Sequence, residues 1–194
     1  MVDIKFDPKK LAKLNDPARL KIQPPQAIWD ALELAQAPTC LVDIGAGTGF
    51  FAKEFIKFMP QGQVYALDIK DVMLAWMSEN LAEVREGRIT PVKMDESQTP
   101  LADQVADLVC MINLHHELHD PQALLKDCLR ILKPGGKLLI IDWLPIETPM
   151  GPPLEIRLSP GQILGQLLQA GYDQTQSKDF MPMHSFVLGS KPLT

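Results

Sequence analysis

The sequence predicts an α/β protein: a mostly parallel sheet of seven strands with helices on both faces and an antiparallel hairpin strand at the C-terminal end. Three observations carry this reading. Short, continuously apolar runs alternate with helical patterns, as they do where a sheet is buried on both faces. Over residues 41–50 a strand runs directly into a glycine-rich turn and then a helix. The last two strand-like runs are too close in sequence for a crossover, so they must pair antiparallel. The 194 residues make one domain, 1–194, with 1–23 an N-terminal lid or tail and 24–190 the core.

Each element has its own signals. Residues 1–23 are polar, with turn signals at Asp7-Pro8 and Asp16-Pro17. A helix is predicted over 25–36, where Pro25 suits the first turn and Pro38 stops the chain. Ile28, Trp29, Leu32 and Ala35 form its apolar stripe. The first strand is 40–44, and the helix beyond the glycine turn runs to about Met59, with Phe51, Phe55 and Phe58 on one face. A second strand at 64–67 ends on Asp68. The next helix opens with Asp71 as N-cap and carries Met73, Met77 and Leu81. Strands three and four are 89–94 and 106–113. The helix after them has Asp120 as cap, Pro121 at its first position, an apolar face of Leu124, Cys128 and Leu132, and Gly135 as its end. Strand five is 137–141. A proline-rich excursion over 142–158 leads to a helix at 159–170 closed by Gly171, then to strands at 173–178 and 183–188.

Composition narrows the function. With 46% hydrophobic and 22% charged residues the chain is an ordinary globular protein. Its net charge of −5 opposes a polyanionic partner, so no nucleic acid is expected. No apolar run approaches the roughly 20 residues of a membrane span. The first ten residues lack a signal-peptide core, and a cytoplasmic location is expected. Cys40, Cys110 and Cys128 form no C-x-x-C pair and lie in apolar runs, where a thiol behaves as a small hydrophobe.

The decisive stretch is Asp43-Ile44-Gly45-Ala46-Gly47-Thr48-Gly49-Phe50. Glycines let a backbone bend sharply and approach a ligand closely. A dinucleotide turn would need glycine at 50, where Phe50 stands, and no Gly-Lys-Ser/Thr follows for a phosphate loop. The pattern resembles motif I of the class I S-adenosylmethionine-dependent methyltransferases, an acid before G-x-G-x-G. Tyr65-Ala66-Leu67-Asp68 resembles the family's second strand, Met94-Asp95-Glu96 its acidic motif, Ala106–Leu114 its fourth strand, and Leu129–Gly136 its turn before strand five. Five landmarks in order at sensible spacing make the resemblance specific, and it covers roughly 24–188. Its closest character is that of small-molecule enzymes related to the ubiquinone/menaquinone C-methyltransferases.

The resemblance implies a Rossmann-like fold, S-adenosylmethionine as cofactor with S-adenosylhomocysteine as product, and a small-molecule acceptor attacked by in-line displacement. It implies a cofactor set of Asp43, Gly45, Ala46, Gly47, Thr48, Gly49, Asp68, Ile69, Met73, Asp95, Glu96, Asn113 and Leu114. Asp68 would accept from the ribose hydroxyls, as an acid does in dinucleotide sites. Asp95 would meet the adenine amine, Asp43 would order the turn or meet the methionine end, and Gly45 and Asn113 would offer carbonyls to the ammonium group.

The acceptor end is less marked. His115-His116-Glu117-Leu118-His119 lacks the H-E-x-x-H spacing of a zinc site, and no metal is expected. His116 is the candidate catalytic base, with a structural or cofactor-contacting role as the alternative. His115, Glu117, Arg19 and Trp143 are candidate acceptor contacts, with residues 1–23 folding across the pocket so that Arg19 nears the methionine carboxylate or an anionic acceptor. A homodimer is permitted. Two rival readings are an NAD-binding oxidoreductase, disfavoured by Phe50 and the hairpin, and a non-catalytic partner protein on the same fold.

Overall fold

Strands whose side chains are buried in both directions must be covered on both faces, and the central strands of this chain have that character. The computed structural model describes residues 13–194. Seven strands form: β1 (Cys40–Ile44), β2 (Gln63–Asp68), β3 (Ile89–Lys93), β4 (Ala106–Ile112), β5 (Leu132–Trp143), β6 (Asp173–Lys178) and β7 (His184–Ser190). Every residue of β1 is buried, and all of β4 but Asp107. The sheet order is β3-β2-β1-β4-β5-β7-β6, parallel from β3 to β5, with β7 antiparallel to both of its neighbours.

The two-residue period of a strand sends alternate side chains to opposite cores. Leu41, Leu108, Leu139 and Phe186 enter one core, with Phe51 and Phe55. Val42, Val109, Ile140 and Val187 enter the other, with Leu124, Cys128 and Leu167. The helices are α1 (Arg19–Ile22), which buries no residue, and α2 (Pro25–Ala31), α3 (Phe50–Phe55), α4 (Asp71–Asn80), α5 (Ala82–Arg85), α6 (Pro121–Ile131) and α7 (Pro160–Ala170), which cover the sheet. Cys40, Cys110 and Cys128 are buried free thiols. Burial pushes Cys40 up to about 11 and Cys128 higher still, so neither is a thiolate near neutrality.

Several signals read from sequence hold to the residue. Strands β1 and β6 have the predicted bounds. Asp120 caps α6 by accepting from the Ala123 amide at 3.0 Å. Ser159 and Gln162 close a reciprocal capping box on α7, and Gly171 ends it in the left-handed region at φ 102°.

Other boundaries move for identifiable reasons. Helix α2 stops at Ala31, not 36, because Glu33 adopts a φ of +48°. The freed carbonyls of Ala31 and Leu32 accept from Lys178 and Lys137 Nζ, each at 2.7 Å. Asp71 is the first residue of α4 rather than its cap; Lys70 holds the cap position without a side-chain bond, and Asp71 pairs with Lys93 at 2.7 Å. Helix α6 ends at Ile131, four residues before Gly135, because Leu132 already pairs with Ala106. Strand β5 therefore starts earlier than predicted and carries a register shift between Ala106 and Leu108. The antiparallel strand is β7, inserted between β5 and β6, so the sheet's outermost strand on that side is β6. Residues 1–12 of the predicted lid lie outside the described residues.

Candidate functional site

The carboxyl ends of β1, β2, β4 and β5 open on a cavity of about 650 Å³. Its floor is the glycine turn. Gly45, Gly47 and Gly49 all have positive φ, at 68°, 57° and 71°, a region that L side chains enter only with strain. They differ in what a side chain would meet. A Cβ at Gly45 would fall 2.6 Å from Leu114, and one at Gly49 would fall 2.8 Å from Leu81. At Gly47 the nearest atom is Leu14 Cδ1, 3.8 Å away. Positive φ thus calls for glycine at all three; at 45 and 49 a side chain would also displace Leu114 or Leu81, whereas Gly47 leaves bare backbone facing the cavity.

Asp68 holds this turn. Its Oδ2 accepts from the Gly47 amide at 2.9 Å and its Oδ1 from the Lys70 amide at 2.8 Å. The side chain is buried but lines the cavity, and each oxygen keeps a spare lone pair. Asp43, the sequence's candidate for ordering the turn, is buried and off the cavity wall. Burial pushes the Asp43 carboxyl up to about 7, an effect that nearby Arg19 opposes. Its own backbone partner is the Ala52 amide of α3. Ala46, Thr48 and Gly49 also sit off the wall, and Thr48 Oγ1 is buried without a hydrogen-bond partner.

On the β2–β3 side, Ile69, Met73 and Glu96 line the cavity. Asp95 does not; its backbone closes a bridge with Gln98, the turn role open to any such residue. Met94 and Lys70 line the wall although sequence reasoning did not single them out. Their signal was available, since both flank strand ends on the ligand side of an α/β sheet.

The roof comes from residues 13–23. Gln23 and Asn113 exchange reciprocal side-chain amide bonds, at 3.0 and 3.1 Å, across 90 positions of sequence. Arg19 donates to the Leu14 carbonyl at 2.5 Å and lies 4.6 Å from the Phe50 ring centroid and 5.0 Å from that of Phe51. Burial lowers its pKa, partly offset by Asp43 and Asp16. Arg19, Leu14 and Gln23 all face the cavity.

The fourth side holds the titratable groups. The turn after β4 sets His116 against Asp142 of β5. The Asp142 carboxylate accepts from the His116 backbone amide at 2.8 Å through Oδ2, and Oδ1 lies 2.7 Å from His116 Nδ1. The Trp143 amide also donates to Oδ1, at 2.8 Å. Desolvation lowers the His116 pKa, but the Asp142 hydrogen bond and charge outweigh it, and the net shift is upward. With Nδ1 on the acid, Nε2 is the ring nitrogen left over, 3.7 Å from Glu117 Oε1 and too far to bond it, and His116 lines the cavity. His115 faces away: it is buried, off the wall, and 2.6 Å from Gln166 Oε1 of α7. Glu117 and Trp143 line the cavity. Asp142 went unnoticed in the sequence because an acid inside an apolar strand is informative only once its partner is known.

Among the described residues, no group of three or more His, Cys, Asp or Glu is arranged to hold a metal. No helix there is long and apolar enough to cross a membrane. The cavity fits S-adenosylmethionine. Asp68 has two spare acceptor sites for a vicinal diol, Gly47 allows close backbone approach, and Met73 and Met94 give an apolar, polarisable lining suited to a purine.

Comparisons with known proteins agree with this chemistry. A ubiquinone/menaquinone biosynthesis C-methyltransferase of Cupriavidus taiwanensis is 33% identical over 130 residues, 62% of this chain and 53% of that protein. The Laribacter hongkongensis enzyme of the same name is 37% identical over 115 residues, 58% of this chain and 46% of that protein. The chain thus spans about half the length of the curated relatives it matches. The crystal structure of a SAM-dependent methyltransferase from Aquifex aeolicus covers 96% of this chain and 100% of its own, at 30% identity and a TM-score of 0.87. Residues 42–140, from the glycine-turn strand through most of β5, match the methyltransferase domain family model. The glycine turn, the acid that holds it and the match across half of the sequence make one statement: the chain belongs to the methyltransferase domain family.

Proposed function

We propose that this protein transfers a methyl group from S-adenosylmethionine to a small-molecule acceptor, with His116 as general base and residues 13–23 as a lid over a 24–190 core. The observation that carries the reading is the shared cavity: Gly47, the Asp68 that anchors it, and His116 line the same space. When bound, the cofactor supplies an activated methyl group on a sulfonium, so the protein's main work is alignment and exclusion of water. Asp68 would hold the ribose hydroxyls, and Gly45 and Asn113 the ammonium end. Arg19 stands near enough to the turn to meet a carboxylate.

His116 would take a proton from the acceptor at Nε2, which requires the neutral ring. Because its pKa is raised above 6.5, the rate should climb as pH rises through a value above 6.5. The acceptor is then one that loses a proton on methylation. The relatives' names support quinone-related rings as the first acceptors to try. The net charge of −5 supports a small molecule over a nucleic acid.

The test has two parts. Calorimetry should show S-adenosylhomocysteine binding at one site per chain, with NAD silent. Incubation with S-adenosylmethionine and reduced benzo- or naphthoquinones should then release S-adenosylhomocysteine, and His116→Ala should suppress release while leaving cofactor binding intact. Failure to bind S-adenosylhomocysteine overturns the reading. Binding without turnover on any acceptor would favour a non-catalytic partner protein.

A further inference from the structure

Beyond Trp143 the chain leaves the sheet and forms no strand or α-helix until α7, with one 3-10 turn at Leu154–Ile156. Irregular backbone of this kind ordinarily turns its carbonyls toward water. Here they turn inward, onto one cation. Arg157 is 9% exposed and donates in every direction. Its Nε and Nη2 reach the Pro152 carbonyl at 3.0 and 2.7 Å, and Nη2 also reaches the Met150 carbonyl at 3.4 Å. Its Nη1 reaches the carbonyls of Leu144 and Ile146, at 3.2 and 2.8 Å, and Thr148 Oγ1 at 2.9 Å. The guanidinium carbon lies 5.4 Å from the Trp143 ring centroid.

The loop is laid directly on this pair. At Gly151, with φ at 112°, a Cβ would come 2.9 Å from Trp143 Cε3 and 3.0 Å from Arg157 Nη2. The His184 ring also packs on Trp143, with centroids 4.2 Å apart. Trp143, Met150, Gly151 and Pro152 all line the cavity, as does His116. Gathering the carbonyls inward also turns side chains outward: Ile146, Met150 and Ile156 are 45%, 50% and 41% exposed.

Burying a guanidinium costs free energy unless each donor is satisfied, and this one is satisfied by loop backbone and one hydroxyl. We propose that Arg157 is a positioning residue: it fixes the Trp143 and Met150–Pro152 wall against which the acceptor lies, and so sets which acceptors fit. The proposal rests on the methyl-transfer reading for the identity of that wall. Arginine is required because a planar fork of five donors can span these acceptors, whereas lysine offers three from a single point.

The experiment uses Arg157→Lys, which keeps the charge, and Arg157→Met, which keeps the apolar stem. Calorimetry with S-adenosylhomocysteine reads the cofactor end, and both variants should bind it within about twofold of the parent. Trp143 emission and its quenching by acrylamide, taken as the difference from Trp143→Phe, read the wall, and both should change. With an acceptor that the parent methylates, KM should rise about tenfold or more while kcat stays within about threefold. Trp143 emission unchanged in both variants would overturn the proposal. So would equal losses at the cofactor and acceptor ends, the mark of a merely structural residue. If the parent methylates nothing, the functional reading fails separately. The proposal then stands or falls on the emission change with cofactor affinity kept.

Discussion

Replacing Asp68 by asparagine tests the cofactor site most sharply, because the side chain keeps its shape and exchanges one acceptor for a donor. In the parent, one oxygen accepts from Gly47 and the other from Lys70. The asparagine oxygen can stay on Gly47, which leaves its amide group facing the Lys70 N–H. That contact is lost, but Lys70 is exposed and its amide can turn to water. A hydrogen bond to a charged group contributes about 1.5–3 kcal/mol, so the ligand-free protein should lose about 1.5 kcal/mol, the low end. Cofactor binding loses more. One of the two acceptor sites left for the ribose diol disappears, and the other is no longer charged. A loss of about 1.5–3 kcal/mol corresponds to roughly ten- to hundredfold in Kd. Asp68→Ala removes both bonds to the turn and should destabilise the free protein by about 3 kcal/mol. Urea unfolding without ligand and calorimetry with S-adenosylhomocysteine measure the two effects separately. Native S-adenosylhomocysteine affinity in Asp68→Asn would refute the assignment of the diol to this acid.

The remaining predictions concern other parts of the molecule. His116→Ala should lower kcat by about 10²–10⁴-fold, and Asp142→Asn should move the acidic limb of the pH–rate profile to lower pH, because the group that raises the His116 pKa is gone. An unmoved limb in Asp142→Asn would assign that titration to another group. Ser159→Ala should cost about 1 kcal/mol in urea unfolding through loss of the α7 capping box, with S-adenosylhomocysteine affinity unchanged. Bound S-adenosylhomocysteine should protect the chain around Lys13–Lys21 from trypsin, and Gln23→Ala should weaken that protection by breaking the bonds to Asn113; equal cleavage with and without ligand would remove the lid.

How legible each part was depends on the range of the contacts that build it. The glycine turn was readable because its demand is local: positive φ at 45, 47 and 49 calls for glycine within the turn itself, and Asp68 ends a recognisable strand. Caps such as Asp120 and Ser159 were readable for the same reason. The short end of α2 was not, because the carbonyls freed by the +48° φ of Glu33 find their partners in Lys137 and Lys178, on distant strands. Asp142 gained its meaning from His116, 26 positions away, and Gln23 from Asn113, 90 positions away. Among the histidines, pattern alone could not separate His116, aimed at the cavity, from His115, bonded to α7. Asp43 is buried and off the cavity wall, and the side-chain bond to the Gly47 amide comes from Asp68.

One physical device recurs around the cavity. Backbone in the segments that leave the sheet has no ladder partner, and buried polar backbone must find one. Buried or half-buried ions supply it here. Asp68 accepts from the amides of Gly47 and Lys70, and Asp142 from those of His116 and Trp143. Arg157 donates to the carbonyls of its own loop, and Arg19 to the carbonyl of Leu14. Each ion therefore holds backbone and also carries a charge, Asp68 and Arg19 on the cavity wall, Asp142 and Arg157 against the wall residues His116 and Trp143. The two roles separate by substitution. A truncation removes both the backbone bonds and the charge, whereas a near-isosteric change such as Asp142→Asn removes the charge and keeps much of the shape. Where the near-isosteric variant loses activity and keeps its unfolding midpoint, the charge is acting on the chemistry. Where both fall together, the residue is holding the loop.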